Sequence, residues 1–207
     1  MCYRELVDAA QPIRHEQRAD VADHRIVMYG VPWSSYEVQL ALRGEAPVPR
    51  IAFLEGALEL MSPSRDHERL KSYIGRLIEV YALERGIDLS PYGSWTLRNA
   101  PREGGLEPDE CYILGSGQHA EVPDLAVEVI WTRGGLDKLE IYRRLGIPEV
   151  WIWQDGELYV HVLRDDGYVR TAQSEKLPGI DVTLLVSFLD RPTAMQAVRA
   201  YREALRR

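Results

Sequence analysis

The sequence predicts a mixed α/β fold on three observations. Several apolar runs alternate with the period of two expected of strands, other segments repeat apolar residues at spacings of three and four as helices do, and the two kinds are interleaved along the chain. At 207 residues the chain is long enough for one domain with a sizeable core, and its 45% hydrophobic and 28% charged residues are those of an ordinary globular protein. No apolar run approaches the roughly 18 residues of a membrane span, so no membrane partner is expected. The opening "MCYRELVDAAQPIRHEQRAD" lacks the apolar core of a secretory peptide, and a cytoplasmic location is expected.

The elements follow in order. The first thirty residues carry the weakest pattern. "SSYEVQLALRGEAP" reads as a short helix, with Ser34 three before Glu37 as a capping box and Pro47 after its end. "PRIAFLEGALELMSP" reads as a hairpin, Ile51 to Leu54 and Ala57 to Met61 flanking a turn at Glu55-Gly56, with Pro63 stopping it. "SRDHERLKSYIGRLIEVYALERGI" is the clearest helix: Leu70, Ile74, Leu77, Ile78 and Tyr81 form its apolar stripe and Gly86 ends it. Beside the stripe, the row Glu68, Ser72, Gly75 and Glu79 combines small residues, which permit close approach to a sheet, with two carboxylates.

Strands are expected around "SWTLRN", "EPDECYIL" and "PDLAVEVIW", then a helix in "GLDKLEIYRRLG" with Leu136, Leu139, Tyr142 and Leu145 on one face. "EVWIW" and "LYVHVL" make a hairpin through "QDGE", where Asp155-Gly156 is a strong turn signal. The closing "TAMQAVRAYREALRR" is an amphipathic helix through Ala197, Val198, Tyr201 and Leu205.

Acids on a core strand are the feature that asks for chemistry. In "PDLAVEVIW", Asp124, Ala126, Glu128 and Ile130 share one face and Leu125, Val127, Val129 and Trp131 the other. A strand this apolar is buried on both sides, where even a neutral polar group without a partner costs roughly 2–7 kcal/mol. If "EPDECYIL" pairs with it, Asp109 faces Glu128. Converging carboxylates repel unless a proton or cation intervenes, and Mg²⁺ favours one or two carboxylates plus water and phosphate oxygens. Asp109, Glu128 and the Val129 carbonyl therefore form a candidate metal site, with Mn²⁺ as a substitute ion. Lys138, early in the following helix, is placed to orient or deprotonate an attacking water and to stabilise charge on phosphate.

The same residues also admit a structural reading, in which Asp124 caps a turn, Glu128 pairs with an arginine and Lys138 is one more surface lysine. His67 and Glu68 at a helix start carry less, and Lys71 stands where the zinc-protease pattern HExxH needs its second histidine. His15, His24, His119 and His161 show no ligand spacing, and Cys2 and Cys111 are too few for a disulfide framework. Phosphate-loop, dinucleotide and nucleophile-elbow patterns are absent from the sequence. The net charge of -7 argues against nonspecific duplex coating but leaves room for a basic lip, for which Arg98, Arg102, Arg133, Arg143 and Arg144 are candidates.

The segments "EGALELMSPSRDHERLKSYIGRLIEVYALERGI", "GLEPDECYIL", "PDLAVEVIWTRGGLDKLEIYRRLGIPEVWIW" and "LPGIDVTLLVSFL" together closely resemble the Uma-two family of bacterial restriction endonucleases, in the PD-(D/E)XK nuclease superfamily. The resemblance covers roughly residues 33 to 190. It implies a restriction-endonuclease-like mixed central sheet flanked by helices, preceded by an extension over 1–32 and followed by a C-terminal helix over 191–207 that packs on or extends from the same domain. It matches Asp109 to the superfamily aspartate, Glu128 to the second acid and Glu68 to a helix-borne acid. Ile130 stands where the motif calls for lysine, and Lys138 resembles its migrated replacement. The alternative of Asp124 as the first acid fails on reach: four residues of strand separate it from Glu128 by about 13 Å. Asp124 more naturally braces the start of its strand.

The expectation is thus a Mg²⁺-dependent endonuclease hydrolysing phosphodiester bonds in DNA. Asp109, Glu128, Lys138 and Glu68 are its catalytic residues, Asp109, Glu128 and Val129 hold the metal, His67 and Asp124 lie in an outer shell, and Arg98 and Arg133 hold substrate. A homodimer is expected by base rate. Its rivals are a dormant nuclease fold that binds nucleic acid or protein, and an interaction protein docking through the arginines of the last helix.

Overall fold

The alternation in "PDLAVEVIW" becomes the centre of the molecule, a computed structural model that describes residues 22–117 and 120–207. Cys2, His15 and His119 lie outside the described residues. The strand β8 (Leu125–Ile130) lies inside a six-stranded sheet ordered β11-β10-β9-β8-β7-β4, formed with β4 (Leu89–Pro91), β7 (Glu110–Leu114), β9 (Glu149–Gln154), β10 (Glu157–Arg164) and β11 (Gly167–Thr171). β7 runs antiparallel to β8 with Glu110 opposite Val127 and Cys111 opposite Ala126; one step further in that register Asp109 meets Glu128. β9 runs parallel to β8. A parallel neighbour requires a crossover, supplied by α3 (Lys138–Leu145).

The two faces of β8 separate as the alternation predicts. Leu125, Val127 and Val129 pack with Leu70, Ile74, Leu77, Ile78 and Tyr81 of α2 (Arg65–Arg85) and with Ala197 and Tyr201 of α5 (Ala194–Leu205). Ala126 packs with Ile141, Tyr142 and Leu145 of α3, Ile130 lies against the same cluster, and Leu136 and Leu139 cover it from the rim. The central sheet is therefore mixed and flanked by helices on both faces. At the end of β8, Trp131 stacks on Trp153 with ring centroids 5.7 Å apart and planes 17° from parallel.

A second, antiparallel sheet has the order β1-β3-β2-β6-β5, from β1 (His24–Tyr29), β2 (Arg50–Leu54), β3 (Ala57–Ser62), β5 (Leu97–Asn99) and β6 (Gly104–Leu106). The expected hairpin is β2–β3, its turn carried by Glu55 and Gly56 at φ 44° and 80°. β1, which falls within residues 1–32, pairs along its whole length with β3. The helix α1 (Trp33–Arg43) covers this sheet by packing Tyr36 against Ile51, Phe53 and Leu58. Gly105 is required there, since an added Cβ would lie 2.5 Å from the Tyr36 hydroxyl.

The capping box at Ser34 does not form. Pro32 occupies the cap position without a side-chain bond and the helix starts at Trp33. Trp33 meets Phe53 edge-on at 5.3 Å, so packing of that indole, more than capping chemistry, sets where α1 begins. By contrast Ser64, Asp137 and Thr193 cap α2, α3 and α5 through their side chains. A short helix, α4 (Val182–Val186), completes the chain before α5. Among the described residues no helix is long and apolar enough to cross a membrane.

Candidate active site

Asp109 precedes β7 with its side chain fully buried. Its Oδ1 lies 3.0 Å from His67 Nε2 and is ion-paired with the Arg50 guanidinium, while Oδ2 accepts the Val129 amide proton at 2.6 Å. His67 stands on the first turn of α2, and its Nδ1 is 3.1 Å from Asp23 Oδ2; Asp23 Oδ1 in turn accepts from the Ser64 amide. Burial pushes the Asp23 carboxyl up, but the bonds from His67 and Ser64 outweigh it and hold the group below its ordinary value. Arg50 reaches onward to Glu68 at 2.7 Å, and Lys71 closes on Glu68 at 3.2 Å. These links tie β2, α2 and the start of β7 together through charge.

Glu128 answers the burial problem differently. Its Oε2 accepts from the Tyr142 hydroxyl at 2.8 Å, and Lys138 Nζ stands 3.6 Å from its Oε1. Burial and the adjacent carboxylate push the Tyr142 phenol well above its usual range, which keeps the O–H as a donor. Lys138 also pairs with Glu59 Oε1 at 3.0 Å, and Glu59 Oε2 accepts from the Leu136 amide and faces Arg25. The loop bearing Leu136 comes this close because residue 135 is glycine: a Cβ there would sit 2.4 Å from Glu59 Oε2. A cavity of about 230 Å³ opens on this side, lined by Glu128, Val129, Lys138, Arg25, Thr132 and Arg133 among others.

Of the residues read from the sequence, Asp109 contacts His67 through one carboxylate oxygen and the Val129 amide through the other, Glu68 joins them through Arg50, and Lys138 is brought to Glu128. Asp124 lies elsewhere: it accepts from the Leu114 amide at 2.9 Å and pairs with Lys176 at 3.0 Å, bracing the start of β8. Arg133 lines the Glu128 cavity and pairs with Asp155. Arg98 is exposed on β5, opposite Gly105. Cys111 is buried, and burial pushes its thiol up to about 12, as suits a packing residue. Asp23, Arg25, Arg50, Glu59 and Tyr142 were not foreseen. Glu59 alone had a sequence signal, as the one acid inside the apolar strand "ALELM".

A family model matches residues 33–191, under the name Uma2 and the description "Putative restriction endonuclease". The chain belongs to the Uma2 family. That membership makes it a relative of nucleases over most of its length. Among solved structures it resembles one titled as a "putative nuclease belonging to DUF820" from Anabaena variabilis ATCC 29413, with a TM-score of 0.46 and 11% identity over 80% of this chain and 98% of that one. No curated protein sequence matches it.

Proposed function

We propose that this Uma2 member is a divalent-metal-dependent endonuclease acting on DNA, with Mg²⁺ or Mn²⁺ held by Asp109, Glu128 and the Val129 carbonyl. The observation that carries the reading is the β7–β8 register, which brings two buried carboxylates opposite one another at the end of the sheet and delivers Lys138 to one of them. The donor set fits a hard cation, being all oxygen with two carboxylates, the number Mg²⁺ prefers when the rest of its shell is water and phosphate. Among the described residues no group of three or more His, Cys, Asp or Glu is placed to hold a metal ion together, so water and phosphate would have to fill the rest of the shell. When bound, the metal would supply Lewis-acid polarisation of the scissile phosphate and a more acidic water.

The chain's own residues do the remaining work. Tyr142 holds one oxygen of Glu128 and leaves the other toward Lys138. His67 and the Val129 amide fix the rotation of the Asp109 carboxylate. Lys138, anchored by Glu59, presents an ammonium group beside the acids, where it can orient a nucleophile and stabilise negative charge on phosphate.

A second reading rests on a specific observation: the site acids already carry protein cations, from Arg50 at Asp109 to Lys138 at Glu128 and Arg25 at Glu59. Such a core could be a nuclease fold kept for binding alone. Calorimetric titration of Mg²⁺ and Mn²⁺ into the wild type and Asp109→Asn, followed by incubation of both with plasmid and single-stranded DNA, separates the two. Binding and nicking that vanish together in Asp109→Asn support the nuclease. Metal binding without cleavage favours the dormant form, and no binding at all in the wild type leaves an ion-paired core.

A further inference from the structure

A carboxylate has about four lone-pair sites, and three at Asp109 are taken: His67 and Arg50 share Oδ1 and the Val129 amide takes one on Oδ2. Two of these partners cannot leave. Val129 donates from the backbone of a central strand, and His67 is clamped from behind by Asp23 with both side chains fully buried. Arg50 differs. It already has a second carboxylate, Glu68, whose side chain is 41% exposed, and it lines an open cavity of about 540 Å³ together with Arg43, Lys71, Ser94 and Thr96. That wall carries the cations Arg43, Arg50 and Lys71 and the hydroxyls of Ser94 and Thr96, groups that bind phosphodiester backbones. Beside them stand the acids Glu45, Glu68 and Glu107, the last of which already pairs with Arg43.

We propose that Arg50 is the exchangeable counter-ion of Asp109. In the metal-free protein it occupies a carboxylate position that a divalent cation requires. On metal binding it is released, kept at the site by Glu68, and donates to a phosphate oxygen of the nucleic-acid strand lying in the Arg43–Lys71 cavity. Its planar fork suits both tasks, since the guanidinium matches carboxylate and phosphate geometry alike. The exchange rests on the metal-nuclease reading above and adds to it a substrate-binding residue and a path for the strand.

The test compares wild type, Arg50→Met and Arg50→Lys by calorimetry with Mn²⁺, after thermal melts establish that each folds. Removing a unit charge beside the carboxylate is expected to tighten Mn²⁺ binding by about tenfold or more, the scale on which a neighbouring charge changes a carboxylate's affinity for a proton. Arg50→Lys, which keeps the charge on a more flexible stem, is expected to fall between, and it carries the comparison if Arg50→Met does not fold. Binding of a short duplex carrying uncleavable phosphorothioate linkages, in Mn²⁺-saturated buffer of varied monovalent salt, is expected to lose about one phosphate contact from its salt slope in Arg50→Met. Unchanged or weaker Mn²⁺ affinity in the variants, with the wild type still binding, overturns the exchange alone. An unchanged salt slope overturns the phosphate contact. Absence of Mn²⁺ binding in all three proteins overturns the nuclease reading and the exchange with it.

Discussion

Glu149 and Glu128 sit on adjacent central strands, both buried, and the sheet treats them in opposite ways. Glu149 receives four neutral donors: the Trp151 indole at 2.7 Å, the Ser174 hydroxyl at 2.5 Å, and the amides of Glu175 and Lys176 at 2.8 and 3.2 Å. Its lone pairs are filled by groups fixed in the chain, so the carboxylate pins the 174–177 loop to β9 and has nothing left to offer. Glu128 has one phenol and one lysine at 3.6 Å, and it borders a cavity. Burial of an acid therefore identifies no function by itself. What separates the two is that every partner of Glu149 is neutral and fixed, whereas one partner of Glu128 is a charged side chain beside a cavity.

Substitutions should widen that contrast. The largest effect is expected from Glu128→Gln, which keeps the shape of the site and removes the charge: cleavage of plasmid should fall by about 10²–10³-fold, the rate equivalent of several kcal/mol of lost charge stabilisation, with little change in melting temperature. Lys138→Met should slow cleavage by about 10²-fold while leaving Mn²⁺ binding measurable by calorimetry. Asp109→Ala takes one carboxylate from the buried His67 and Arg50, which keep only Asp23 and Glu68, leaves the buried Val129 amide without its acceptor, and should cost about 3–5 kcal/mol in denaturant melts. Glu149→Ala should cost about 4 kcal/mol or more, since four donors lose their acceptor and each left unpaired costs about 1–3, yet any surviving folded protein should cut DNA at the wild-type rate. Lost cleavage in folded Glu149→Ala would break the comparison.

The smallest effect concerns a third acid. Glu110 follows Asp109 directly, and its carboxyl lies beside Gly75 with Lys71 at 3.7 Å. Burial pushes this group above its ordinary value, and Lys71 only partly offsets it. The folded protein thus holds this proton more tightly than the unfolded chain, so the native state binds more protons and stability falls as pH rises from the ordinary carboxylate value through the folded one. Glu110→Gln should raise the melting temperature slightly at pH 7 and show no gain near pH 4. A gain that persists at pH 4 would mean that packing, not charge, is responsible.

Periodicity made the scaffold of the site legible: the α2 stripe, the two-faced β8 and the crossover helix all follow from spacing, as does the Asp109–Glu128 register. The strands β1, β4, β6 and β11 escaped because they are short, glycine-bearing or poor in alternation, as "GGL" in β6 shows. The partners of the acids escaped for a different reason. Arg50, Arg25 and Asp23 meet Asp109, Glu59 and His67 across many residues of chain, and nothing local distinguishes them from surface charges. Nor does local sequence distinguish Glu149 from Glu128, since both are lone acids in apolar strands. Lys138 was legible because the connection from β8 is too short to carry α3 away, and because the family resemblance matched it to a displaced motif lysine.

The stacked Trp131 and Trp153 sit where β8 and β9 end, and Gln154, the residue after Trp153, lines the cavity shared by Glu128 and Lys138. Two indoles in face contact couple optically, and their emission depends on the polarity and charge around them. The protein thereby carries a built-in spectroscopic gauge one residue along the chain from the cavity: a cation or nucleotide strand arriving beside Gln154 should change tryptophan fluorescence and near-ultraviolet dichroism, so that occupancy is followed in real time on the unlabelled chain, including variants that no longer cut.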